Sequence, residues 1–155
     1  MTAWRIIPAE AAHIAPIAAH MREADRREVM ASHGHTPGEA LAASLARSDL
    51  AWTCLVNGEP AFMWGAARTG SLITRTGAPW LLATPAIYQV RRAFLRFSRF
   101  YVEQMQARFP RLANYVHAAN RLSVRWLAWC GFRVETEPVR FNGESFRFFW
   151  REAHV

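Results

Sequence analysis

The sequence predicts an α+β domain in which a mixed, mostly antiparallel sheet is flanked by helices, and three observations carry that expectation. Asn57-Gly58 and Asn142-Gly143 each separate two runs of strand-forming residues, and Asn-Gly in that setting marks a tight hairpin because both residues tolerate positive φ. Val90, Phe94, Phe97, Tyr101 and Met105 recur at helical spacing, which marks one long helix in mid-chain. Residues 120–134 read as a polar Asn, a short helix closed by Gly131 and a strand opening at Phe132, directly after the apolar run 112–117.

Taken in order, residues 4–7 form a short apolar strand stopped by Pro8, and residues 9–21 hold Ile14, Ile17 and Met21 at helical spacing. Residues 22–28 are dense in charge. Glu23, Asp25 and Glu28 alternate there with Arg22, Arg26 and Arg27, the pattern of a solvated i,i+4 ion-pair ladder. Ser32, Gly34, Pro37 and Gly38 mark a loop, and Pro37 opens a helix through Leu41 and Leu45 that ends near Asp49. Strands at 51–56 and 60–66 flank the first Asn-Gly, residues 70–77 are a polar turn, and 79–83 is a short strand ended by Thr84-Pro85.

The long helix spans 88–109, with Arg92, Arg96, Arg99 and Glu103 on the face away from its apolar stripe, and Pro110 ends it. A strand at 112–117 precedes a helix at 121–130 with Leu122, Trp126 and Trp129 on one side. The strand at 132–141 is interrupted by Pro138, and the last strand, 145–151, alternates Phe146, Phe148 and Trp150. The order is β-α-α-β-β-β-α-β-α-β-β, in one domain over residues 1–155.

Composition supports a packed domain. The chain is 52% hydrophobic and 20% charged, with seven Trp and ten Phe, which excludes disorder. At this length about two thirds of the unfolded surface can be buried. Cys54 and Cys130 sit inside apolar runs rather than in paired short spacings, so both are expected to be buried, unreactive thiols in a reducing compartment. Residues 1–7 lack the basic region and apolar core of a signal peptide, and no apolar run approaches about 18 residues; the expected site of synthesis is the cytoplasm. The net charge is +7, with every one of the 19 basic residues an Arg. Such a surface attracts phosphate, nucleic acid or acidic proteins. Arg92, Arg96 and Arg99 are its candidate for a weak nucleic-acid contact, although a solvated helix face is the commoner cause of such a row.

This order of elements resembles the GNAT-like (acyl-CoA N-acyltransferase-like) fold over nearly the whole chain. Asn120, Ser123, Gly131 and Phe132 stand at the spacing of that superfamily's Asn-x-x-Ala and Gly-Phe positions. The resemblance implies acetyl-CoA as cofactor, with Leu82, Thr84 and Asn120 as cofactor-binding positions and a Gly-rich turn cradling the phosphates. The corresponding residues, 83–92, contain no glycine, and Pro85 removes a backbone donor. Thr84 is more simply an N-cap before Pro85, which leaves Arg91 and Arg92 to meet phosphate by side chain. Seven residues after Asn120, where the superfamily often has a Tyr acid, stands Leu127, and a hydrocarbon cannot donate a proton. On this reading no residue is catalytic. No metal site is expected either, because His33 and His35 lack further ligands and fit a flexible loop, while His117 fits a hydrogen-bonded core or rim histidine.

The C-terminal half is also similar to the small internal virion protein family of short-tailed phages, through Asn114-Tyr115-Val116, Asn120, Ser123, Arg125-Trp126-Leu127 and Gly131 between a basic helix and an Asn-Gly hairpin. That resemblance implies a non-catalytic bacteriophage protein of structural, assembly or ejection role, without cofactor. It would be made in the host cytoplasm and located in the virion, with portal, core or tail-associated proteins as partners. Phe149 or Trp129 would anchor such an interface. With the phosphate turn and the acid both missing, the virion role is the preferred expectation; an acetyl-CoA-dependent N-acetyltransferase with a divergent phosphate site is the alternative.

Overall fold

The computed structural model describes residues 2–153. Its strands are β1 (Trp4–Pro8), β2 (Ser48–Val56), β3 (Glu59–Arg68), β4 (Thr76–Ala83), β5 (Arg111–His117), β6 (Arg133–Phe141) and β7 (Glu144–Glu152). They form one sheet in the order β1-β2-β3-β4-β5-β7-β6. Every neighbouring pair is antiparallel except β4 and β5, so the expected mixed, mostly antiparallel α+β sheet is present. Both Asn-Gly pairs turn as their chemistry requires: φ is 51° and 84° at Asn57 and Gly58, and 49° and 78° at Asn142 and Gly143.

Successive residues of β3 point to opposite faces, and each face has its own core. On one side α1 (Ile14–Ala19), α2 (Glu23–His33) and α3 (Pro37–Arg47) pack Ile17, Val29 and Leu41 against Met63 and Leu82. On the other, α4 (Arg91–Arg108) and α5 (Arg121–Trp129) pack Phe94, Val102 and Trp126 against Phe62, Trp64 and Leu112. Trp126 stacks on Phe94 at 5.3 Å, and Cys130 lies 3.6 Å from Ser98 Oγ. Four residues along one helix thus match four along the other, so α4 and α5 run parallel with their N-termini at the same end.

Two expectations need correction. The charge-dense segment is the first half of α2, which runs to His33 and stops where Gly34 takes φ 68°, a left-handed C-cap that glycine adopts without strain. The chain therefore has a helix the sequence pattern did not reveal, and His33 lies on it rather than in a loop. Phe149, expected as an interface anchor, is 3% exposed and belongs to the core, whereas Trp129 is 45% exposed. Thr84 caps as expected: its Oγ1 accepts from the Ala86 N–H ahead of a 3-10 turn over Pro85–Val90 that leads into α4.

β4 and β5 pair only at Thr76 with Arg111 and Gly77 with Leu112, then diverge. Gly77 is needed at this joint, since a Cβ there would sit 2.5 Å from the Phe109 ring. The site lies in the opening beyond it.

Candidate active site

Hydrogen-bond parity fixes which backbone groups face the opening. Thr84 N–H donates to Ala61 C=O, so the even-numbered residues of β4 address β3, and Pro79, Leu81 and Ala83 face the β5 side. Ala118 N–H donates to Ser145 C=O, which by the same parity turns Ala113, Tyr115 and His117 toward β4. Pro79, having no N–H, loses no ladder bond there.

Side chains bridge the gap at two levels. Near the joint, Asn114 Nδ2 donates to Pro79 C=O at 2.9 Å while its Oδ1 accepts the Tyr115 N–H at 2.8 Å. At the open end two carboxylates from α2 take over. Asp25 Oδ2 accepts the Ala83 N–H at 3.0 Å, and Glu28 Oε1 accepts the His117 N–H at 2.6 Å. Between the two levels, the Leu81 N–H meets neither a ladder partner nor a side chain among the described residues.

The open-end level is charged and buried, not the solvated ladder that the alternation of signs suggests. Arg22 is 7% and Asp25 1% exposed. Arg22 Nη1 donates to both Asp25 oxygens at 3.2 and 3.1 Å, Nη2 to Asn120 Oδ1 at 3.4 Å and Nε to Tyr88 Oη at 3.0 Å. Asn120 Nδ2 closes the network on Asp25 Oδ1 at 3.1 Å. Burial raises the Asp25 carboxyl above its ordinary range, against the opposing pull of Arg22. Glu28 is pushed up to about 8, chiefly by burial and further by the Asp25 charge, with the His117 N–H pulling the other way. A carboxyl tuned toward neutral pH in a cavity wall is equipped for proton transfer.

His117 is not equipped for it. Its Nδ1 accepts the Ala119 N–H at 3.1 Å, which assigns the proton to Nε2, and Nε2 donates to Glu144 at 2.7 Å. Glu144 is also held by Arg27 at 2.6 Å. Both ring nitrogens are occupied, in line with the expected rim histidine. Cys54 and Cys130 are buried, with thiols pushed up to about 12 and about 11, too high for a thiolate nucleophile.

The opening encloses a cavity of about 640 Å³, reached by Glu28 from one face of the sheet and by Ser123, Trp126 and Leu127 of α5 from the other. Trp126 is 7% exposed, and its buried Nε1–H has no partner. Such a donor costs roughly 1–3 kcal/mol unless something accepts from it, and in this structure the indole nitrogen is covered by its neighbours. The cavity thus offers a proton acceptor and a backbone donor around one space, with the unpartnered indole N–H just behind its wall.

The residues singled out in the sequence are distributed around this site. Leu82 lines the cavity with its side chain, while its backbone addresses Met63 on β3; the cleft-facing backbone is that of Leu81. Thr84 is occupied as a cap. Asn120 is in the Arg22–Asp25 network and 2% exposed. Leu127 lines the wall. Arg92 and Arg96 are exposed and unpartnered among the described residues, while Arg99 lies 4.0 Å over the Trp129 ring and donates to the Trp129 carbonyl. Arg22, Asp25 and Glu28, which the sequence pattern reads as part of a solvated ladder, are the site residues that reading misses. Their signal was the spacing i, i+3, i+6, which lines up one face of a helix once that helix is recognised.

No family model and no curated protein matches this sequence. The structure, however, matches solved acetyltransferases over almost its full length. The GNAT-family acetyltransferase from Streptococcus pneumoniae superposes with a TM-score of 0.66 at 11% identity, covering 98% of this chain and 100% of that one. The ribosomal-protein-S5-alanine acetyltransferase from Vibrio fischeri gives 0.65 at 14%, covering 96% and 92%. The yncA protein from Salmonella typhimurium, solved with its cofactor acetyl-CoA, gives 0.65 at 16%, covering 96% and 93%. The chain has the GNAT acyltransferase fold. The expectation of a phage virion protein without cofactor is overturned: the structures matched end to end are acetyltransferases, and one of them was solved with acetyl-CoA.

For a CoA thioester the residues fit through charge rather than through a glycine cradle. The Ala83 N–H and C=O, at the end of β4, are already taken by Asp25 and Arg22. α4 begins without a side-chain cap or an acid in its first turn, and so does α5 beside it. Arg91, Arg92 and Arg121 are exposed at those two ends, so guanidinium groups and paired helix dipoles would hold a diphosphate there.

Proposed function

We propose that this chain is an N-acyltransferase that moves an acyl group from a CoA thioester to an amine inside the β4–β5 cavity. The observation that carries the reading is Glu28: a carboxyl on the cavity wall, fixed by the His117 N–H and raised to about 8. Glu28 takes the proton of the attacking amine as the C–N bond forms. Leu81 N–H is the donor available to the carbonyl oxygen as negative charge develops on it, and Trp126 Nε1–H becomes a second once the acyl group displaces the side chains that cover it. When the C–S bond breaks, the leaving thiolate needs a proton. Protonated Glu28 is matched to supply it, because an ordinary thiol titrates near ~8.5, and this removes the need for an acid at Leu127. Asp25, Arg22 and Asn120 hold α2 against both strand ends and so position Glu28.

Release of free thiol from acetyl-CoA across a panel of primary amines tests the reaction, and thermal unfolding with acetyl-CoA tests binding. Saturation at 100 times the dissociation constant stabilises by about 2.7 kcal/mol, roughly 5–10 °C for a domain of this size. Absence of both the shift and thiol release would overturn the reading.

A further inference from the structure

The cavity has a second chemical end. Besides the carboxyl of Glu28, it is lined by His33, His35 and Arg47. The two imidazoles stack at 5.5 Å with an interplanar angle of 18°. The pKa of His33 is depressed by burial, then by His35 and Arg47, which places the three cationic-capable groups within electrostatic reach of one another. Arg47, in the last turn of α3, has no acid or hydrogen-bond partner among the described residues. Arg68, on the same wall, shares the single carboxylate of Asp49 with Arg108 at 2.6 and 2.8 Å, so that cluster keeps an excess positive charge. Glu39 is near His35, but its carboxylate is engaged by the Thr36 N–H at 3.0 Å.

The rest of the lining is mostly apolar and includes the aromatic side chains of Trp80, Tyr115, Phe141 and Phe146. Glu28 and His33 lie five residues apart on α2, about 7.5 Å of helix rise, a distance one small molecule can span.

Resting on the acyltransferase reading, we propose that the acyl acceptor is an amine that carries a carboxylate on an apolar body, with the amine at Glu28 and the carboxylate at Arg47, His33 and His35. Arg47 and His33 are exposed at the mouth of the cavity, where a guanidinium without a protein partner is free to receive an anion, and Arg pairs with carboxylates bidentately. A bare amine would make no contact with that end.

The test uses matched acceptors with acetyl-CoA as donor: L-phenylalanine against 2-phenylethylamine, and 6-aminohexanoate against hexylamine. The expected result is a KM at least about tenfold lower for the carboxylate member of one or both pairs, the scale of one charge-assisted bond. Arg47→Ala should erase that preference by raising the KM of the carboxylate member alone, and Arg47→Lys should restore part of it. Arg47 is exposed at a helix end, so neither variant threatens folding. Equal use of both members, or a preference untouched by Arg47→Ala, overturns the inference and leaves the acyltransferase reading standing. Acetylation of no amine, with no binding of acetyl-CoA, overturns both.

Discussion

The two levels that bridge β4 and β5 perform one geometric task with opposite chemistry. Asn114 does it with a neutral amide, satisfying one carbonyl and one N–H of diverging strands. Asp25 and Glu28 do it with two carboxylates, one buried and one half-buried, which need Arg22 and Asn120 to be tolerated. A Gln could accept the His117 N–H as well as Glu28 does, without the desolvation that raises its pKa. The contrast indicates that the joint end serves the fold, while the open end retains charge that folding alone would not select.

The largest effect is expected at Asp25. Asp25→Ala leaves Arg22 buried without its carboxylate and frees the Ala83 N–H, and breaking a buried pair from one side costs about 3–5 kcal/mol. Urea unfolding measures it. A loss below about 1 kcal/mol would erase the distinction between the two levels.

Glu28→Gln separates stability from chemistry. The folded-state pKa of about 8 lies above the ordinary 4.5, so the stability this group contributes is fully present below about pH 4.5 and is lost as pH rises through about 8. Against wild type, the Gln variant should therefore be more stable above pH 8 by a few kcal/mol, with a weaker pH dependence over that window. Acyl transfer by the wild type should rise through about pH 8 as Glu28 deprotonates, and the variant should lose most of it. A variant with wild-type turnover would return the open end to a purely structural role.

Asn114→Ala sits lower on the scale. It strands the Pro79 carbonyl and the Tyr115 N–H, at about 1–3 kcal/mol, yet should leave the pH profile of the reaction unchanged. A shifted profile would mean that the joint level also tunes the site.

The same contrast explains what the sequence showed. Hairpins, the long helix and the Asn120–Gly131 stretch were legible because Asn-Gly turns and apolar periodicity are local signals, and the structure places each where those signals put it. α2 was not legible, because its inward face presents Asp25 with only Val29 and Ala31 as buried apolar partners. Periodicity arguments look for hydrocarbon. A face that buries charge reads as a solvent ladder until the divergence of two distant strands is known to supply its hydrogen-bond partners. That the backbone of Leu81 rather than Leu82 faces the opening was not legible for a comparable reason: it depends on pairing parity with β3, and parity is a property of the sheet rather than of the segment.

The smallest expected stability effect, and the sharpest probe of the cavity, is at Trp126. Its ring packs on Phe94, but its Nε1–H is paired with nothing. Trp126→Phe deletes an unsatisfied donor together with part of a ring, so the relief of one offsets the lost packing of the other and unfolding free energy should stay within about 1 kcal/mol of wild type. If that N–H waits for a carbonyl oxygen, acetyl-CoA affinity or turnover should nonetheless fall by about tenfold, the scale of one hydrogen bond to a buried group. A variant that loses stability and keeps full affinity would show that the indole belongs to the α4–α5 core, leaving Leu81 N–H as the donor facing the acyl oxygen.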